Sequence, residues 1–160
     1  MIELSLVGVR VELPSNQPIV LLKESDGERY LPIWIGAVEA TAIAFALQGI
    51  ETPRPMTHDL MRDILQHTDT EVERVVINDL VDQTFFATIR MSGDGKTTEV
   101  SSRPSDAIAL AVRINAPLFA SEEVLEQAGI ELKDEEESEV EKFREFLDQV
   151  TPEDFATGQG

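Results

Sequence analysis

Moved forward by 67 residues, the front of this chain falls onto its second half: Val9 lands on Val76, Leu13 on Leu80, Leu22 on Ile89, Ala40 on Ala107 and Ile43 on Leu110. The acid ahead of each apolar helix also coincides, Glu39 with Asp106. Chance overlap of common apolar residues would not also match strands, turns and helix starts under one offset. The expectation is therefore an α+β fold made of two duplicated β3-α2 units, residues 2–67 and 69–130, packed around a shared core. One such unit leaves part of its sheet bare, so two would cover each other. Equivalent helix starts would then meet near a pseudo-twofold axis, where a cleft can form.

Each unit can be read segment by segment. Ile2 to Leu13 alternates apolar and polar residues as a strand does, and Pro14-Ser15-Asn16-Gln17-Pro18 breaks it. Ile19 to Leu22 and Tyr30 to Ile35 read as two more strands around the turn Ser25-Asp26-Gly27-Glu28. Gly36 opens a helix, Ala37 to Gln48, whose one charge is Glu39. A helix apolar all round is expected to be buried. Pro53-Arg54-Pro55 is a stiff connector, and Thr57 is placed to cap a helix running to about Gln66. The second round gives strands at Val72 to Leu80, Thr84 to Met91 and Thr97 to Ser102. Ser105 is then a candidate cap for an apolar helix, Ala107 to Val112. Pro117 leads to a short helix at about Ser121 to Ala128.

The formal charge is −18 over 160 residues, and the part before residue 131 alone carries about −10. A field of that sign repels phosphate backbones, which argues against a nucleic-acid binder driven by electrostatics. No cysteine is present, so disulfides and thiolate metal sites are excluded. No apolar run reaches the ~20 residues that cross a bilayer, and the start lacks the marks of a signal peptide. These features point to the cytoplasm and away from a membrane. Residues 134–160 form a separate acidic linker and arm, in which Val140, Phe143, Leu147 and Val150 make a helical apolar stripe. That C-terminal helix is expected to dock on this domain, a second copy or another protein.

The chemistry-bearing residues are few. Glu39 and Asp106 stand at the duplicated helix starts, each as a metal ligand or general base, or as a solvated first-turn acid serving the helix dipole. Arg54 and Arg103 each adjoin a proline and are placed like anion clamps. A salt bridge to either acid would explain them as well. His58 follows the rigid Pro-Arg-Pro segment with Asp59 beside it, and a first-turn surface histidine is the plainer reading. His67 sits where a helix C-terminus favours an imidazolium. Carboxylates holding a Mg²⁺ or Mn²⁺ ion, with arginine steadying a phosphate, would suit metal-assisted phosphodiester hydrolysis. The same set suits several other reactions.

Three stretches carry a resemblance. Leu31-Pro32-Ile33-Trp34-Ile35-Gly36 leads to Glu39-Ala40. Arg54-Pro55-Met56-Thr57-His58-Asp59-Leu60 follows, and then Ser102-Arg103-Pro104-Ser105-Asp106-Ala107-Ile108-Ala109-Leu110-Ala111. In order and spacing these resemble the bifunctional nuclease domain family of bacteria and plants, over about residues 1–133. The acidic linker and the segment from Val140 to Asp148 resemble the actinobacterial versions. The resemblance implies a broad-specificity nuclease acting on DNA and RNA. Motif positions and chemistry together then nominate Glu39, His58, Asp59 and Asp106 as catalytic, with Arg54, Arg103 and Ser105 on the substrate. Glu39 and Asp106 would hold the divalent cation. The nucleic acid would bind weakly, and exposed strand edges favour a homodimer or higher homo-oligomer. A non-catalytic interaction or regulatory module is the competing expectation, supported by the acidic surface and the amphipathic arm.

Overall fold

The computed structural model describes residues 1–12 and 16–132. Strands β1 (Ile2–Glu12), β2 (Gln17–Glu24) and β3 (Arg29–Trp34) form one antiparallel meander. Strands β4 (Glu71–Val81), β5 (Thr84–Gly93) and β6 (Lys96–Ser102) form another. Helix α1 (Ala37–Leu47) and then α2 (Thr57–His67) follow the first meander. Helix α3 (Pro104–Ile114), β7 (Leu118–Ala120), α4 (Glu122–Ala128) and β8 (Ile130–Glu131) follow the second. All eight strands join one sheet in the order β6-β5-β4-β7-β1-β2-β3-β8. The mixed α+β class is as expected.

In both meanders the first strand lies nearest the middle of the sheet. β2 and β5, β3 and β6, and α1 and α3 all begin 67 residues apart. The offset drifts to 69 between β1 and β4 and to 65 between α2 and α4. The middle of the sheet belongs to β7, which runs parallel to β4 and antiparallel to β1. β7 has no counterpart between α1 and α2, where the chain forms a connector instead.

The core explains why the apolar positions alternate where they do. Val20 pairs with Ile33 and Leu22 with Leu31, and all four enter the main core beside Val75, Ile77, Ile43, Ile108 and Leu110. Each such side chain is worth about 1.5–3 kcal/mol on burial. Leu21 and Tyr30 point the other way, into a smaller cluster with Val7 and Leu132. β2 is therefore apolar on both faces, which accounts for its unbroken Ile19-Val20-Leu21-Leu22 run. α3 is the central helix: it contacts α1, α2, β4 and β5, and seven of its residues are buried.

Several local expectations are corrected. α1 is not buried all round, since Val38 is 76% and Leu47 47% exposed while Ala40, Ala42, Ile43 and Ala44 are buried. Its partners α3, β1 and β2 cover one side, and an apolar composition does not supply a second layer. Thr57 is not the cap of α2. The helix is capped at Met56, whose N–H donates to Asp59 Oδ2 at 3.0 Å. Ser105 does not cap α3 either, because Pro104 already opens the helix and Arg103 takes the cap position. Proline suits the first helical residue, where no N–H is needed and φ is preset. The stretch after Pro117 was expected to lead straight into a helix, but β7 intervenes before Ser121 caps α4. Leu13, the linker and the stripe of Val140, Phe143, Leu147 and Val150 lie outside the described residues.

Candidate active site

Two helix starts make the site. α1 and α3 pack against each other, and each carries one acid in its first turn, Glu39 and Asp106. Partial positive charge at a helix N-terminus favours a carboxylate there by about 0.3–1 kcal/mol. Two carboxylates brought together would still repel each other. Arg103 answers this: its Nη2 donates to Glu39 Oε1 at 2.7 Å and its Nε to Asp106 Oδ2 at 3.0 Å. One guanidinium thus bridges the two helix starts.

The second oxygen of Asp106 is also engaged. Oδ1 lies 2.9 Å from Nε2 of His58, a side chain only 7% exposed at the start of α2. α2 and α3 therefore meet at one carboxylate, and Arg103 ties it to Glu39 of α1. Burial pushes the Asp106 carboxyl up, but the His58 and Arg103 hydrogen bonds and the Arg103 charge prevail and hold it below its ordinary value. Arg103 is shifted the other way, upward, by its bonds first to Asp106 and then to Glu39. Its side chain remains 66% exposed while that of Glu39 is 15% exposed. The cation faces water and the carboxylates sit behind it.

Gly36 permits this packing. A Cβ at that position would lie 2.5 Å from Glu39 Oε2, so any larger residue would push the carboxylate away from the helix start. Arg103 also borders a cleft of about 370 Å³ between the end of β3, the start of α3 and the β4–β5 turn.

The other sequence candidates are placed as follows. Asp59 is turned to Arg113, whose Nε donates to Asp59 Oδ1 at 2.7 Å. Burial raises the Asp59 carboxyl, and the Arg113 bond, the Met56 N–H and the neighbouring positive charges together bring it below its usual value. Arg113 continues to the carbonyls of Ala109 at 2.7 Å and Ala42 at 3.0 Å, joining α1, α2 and α3. Arg54 is exposed in the connector before α2, and the salt bridge to Glu39 or Asp106 that would also have explained it is made by Arg103 instead. Ser105 is buried at 6% exposure and lines the cleft. His67 closes the end of α2, its Nδ1 2.7 Å from the carbonyl of Asp63.

Arg113 was missed from sequence, although a lone basic residue in the last turn of an otherwise apolar helix is a signal that something acidic must meet it. The donor set for a divalent ion is small. Among the described residues, no group of three or more His, Asp or Glu is placed to hold a metal. Glu39 and Asp106 supply two carboxylates, the number Mg²⁺ often takes from protein when substrate phosphate and water complete its shell.

The sequence matches the bifunctional nuclease domain over residues 20–133. An uncharacterized protein of Mycobacterium tuberculosis is 48% identical over 162 residues, covering 96% of this chain and 97% of the relative. Bifunctional nuclease 2 of Oryza sativa subsp. japonica is 28% identical over 127 residues, 77% of this chain and 39% of that protein. Bifunctional nuclease 1 of Arabidopsis thaliana is 30% identical over 105 residues, 63% of this chain and 32% of that protein.

Proposed function

Because this chain belongs to the bifunctional nuclease domain family, we propose that it hydrolyses phosphodiester bonds of DNA and RNA at the Glu39–Arg103–Asp106 bridge. The observation that carries the reading is Arg103 itself, an exposed guanidinium held between two carboxylates beside an open cleft. Arg103 meets the phosphate and neutralises charge as it develops there. Glu39 takes the proton of the attacking water as the new P–O bond forms, and the departing oxygen leaves with a proton from solvent. Asp106 holds Arg103 in place. His58 is buried against Asp106, so in this reading it positions that carboxylate and does not touch substrate. Asp59 is given to the Arg113 link and has no catalytic part. A Mg²⁺ or Mn²⁺ ion held by Glu39 and Asp106 would add Lewis-acid charge at the phosphate.

The wider reading includes a common origin for the two halves, supported by the shared 67-residue spacing of β2/β5, β3/β6 and α1/α3. It also includes a cytoplasmic location, a C-terminal arm that binds protein, and assembly of two copies through β6, an edge strand of the sheet among the described residues. Among the described residues, no helix is long and apolar enough to cross a membrane.

Cleavage of single-stranded DNA and RNA by the full chain, with and without chelator, tests the proposal. Glu39→Gln, confirmed as folded, should lose about 100-fold or more, the usual scale for a lost acid–base group, and Asp106→Asn, which loosens Arg103, should also lose activity. Undiminished cleavage by both variants would remove the site. Failure of the unaltered protein to cleave with any divalent metal would favour the interaction module, a reading that rests on the acidic surface. Activity that survives chelation would leave Arg103 as the cation of the site.

A further inference from the structure

The cleft beside Arg103 differs in character from the rest of this molecule. In a chain of net charge −18, its lining contains one cation, Arg103, and no carboxylate among the described residues. Trp34 stands at its mouth with 51% of its surface exposed, although an indole is among the largest apolar groups a protein can bury. Phe85 forms a second aromatic wall, and the amide of Gln83 offers a donor and an acceptor. Gln83 is held there at some expense. It is the second residue of the two-residue β4–β5 turn, and both Asp82 and Gln83 have positive φ, 50° and 65°. Such turns favour Asn-Gly, because a side chain in the left-handed region is disfavoured.

We infer that this cleft is a nucleobase subsite, in which the base next to the phosphate on Arg103 stacks on Trp34 and presents its edge to Gln83. The inference rests on the nuclease reading and adds a substrate class to it: a single-stranded or unpaired nucleotide, since a base inside a duplex cannot reach an indole face. The charge arrangement requires a contact of this kind. An acidic surface gains little from the phosphate backbone, so affinity has to come from uncharged contacts, and stacking is the strongest available to an unpaired base. The cleft volume of about 370 Å³ falls in the range of small-ligand sites.

Trp34 is the only tryptophan in the chain, so its emission reports on this site alone. The full-length protein is titrated with adenosine 5′-monophosphate, with ribose 5-phosphate and inorganic phosphate as probes lacking the base. Saturable quenching by the nucleotide and none by the other two is expected. In cleavage of a single-stranded oligonucleotide, Trp34→Ala should raise KM roughly 5- to 150-fold, the alanine cost of one stacked base, while kcat changes little. Trp34→Phe should recover most of the loss. No nucleotide-dependent quenching, or an unchanged KM for Trp34→Ala in an active enzyme, overturns the subsite and leaves the nuclease reading standing. Quenching by adenosine 5′-monophosphate in a protein that cleaves nothing keeps the subsite and ends the nuclease reading.

Discussion

Replacing Arg113 by methionine should cost about 3 kcal/mol and disturb the site from a distance. The side chain is 5% exposed and is bonded to Asp59, to the Ala109 carbonyl and to the Ala42 carbonyl. Removing one partner of a buried ion pair costs about 3–5 kcal/mol, because the remaining charge is left without compensation. Asp59 retains 20% exposure and recovers part of its hydration, which lowers that figure to about 2–3 kcal/mol. The two carbonyls lose a charged donor but belong to helices, whose own ladders still serve them, so about 0.5–1 kcal/mol is added. Methionine keeps the aliphatic contact of the arginine stem, so little packing is lost.

Urea unfolding at neutral pH measures this loss as a lower midpoint with an unchanged slope. A double-mutant cycle with Asp59→Asn should return a coupling of at least about 1.5 kcal/mol. The consequence for the site follows from the chain: His58 precedes Asp59, so loosening the start of α2 moves the imidazole that Asp106 holds. The ring resonances of His58 should shift while those of His67, at the far end of α2, stay in place. A loss below about 1 kcal/mol, or additive single substitutions, would refute the role of Arg113 as the tie between three helices.

Gly36→Ala should leave stability nearly unchanged and lower cleavage. The added methyl meets the movable end of Glu39 and shifts the carboxylate off Arg103, and wild-type kcat in that variant would count against Glu39. Acid should act through Asp59 and Asp106, whose folded pKa values lie below the ordinary 3.8. The stability they contribute is present above that value and is lost as pH falls through the folded one, so Asp59→Asn should flatten the urea midpoint between about pH 5 and 2. Equal acid dependence in both proteins would contradict this. Raising monovalent salt from about 10 to 100 mM should lower KM or leave it flat, as repulsion between an acidic protein and its substrate is screened. A KM that climbs steeply with salt would indicate a basic binding surface elsewhere.

Much of the architecture was legible because it depends on local patterns. Alternation or short apolar runs marked the six long strands and turn residues separated them, and an apolar run marked α3, although its start lies at Pro104, three residues before the expected Ala107. What was not legible depends on partners distant in sequence. Three residues of β7 carry no period, yet they close the middle of the sheet by pairing with strands more than forty residues before them. The caps at Met56 and Arg103 were hidden behind better-looking Thr57 and Ser105, because a proline and an Asp at the third helical position outweigh a hydroxyl. At the site, Glu39, Asp106, Arg103 and His58 were all nominated and are brought together. Asp59 shared the same motif as His58 but is turned to Arg113, since adjacent residues on a helix face different ways.

In the proposed nuclease, the bridge would couple substrate binding to catalysis. Two carboxylates at facing helix starts would ordinarily not both ionise, and a dyad of that kind shares a proton. Arg103 eases the conflict, and Asp106 is held below its ordinary pKa. That same guanidinium is the exposed group of the cluster and the one cation bordering the cleft. A phosphate that engages Arg103 therefore draws its charge away from Glu39 and Asp106. The carboxylate that loses most of the pairing becomes the stronger base, or the stronger ligand for a cation, at the moment the phosphate is in place. Substrate affinity is spent in that exchange, since each new contact to phosphate weakens an existing one to protein. A nuclease site built this way would bind the backbone weakly and need a separate uncharged grip on its substrate, the part assigned to Trp34 in the base subsite inferred above.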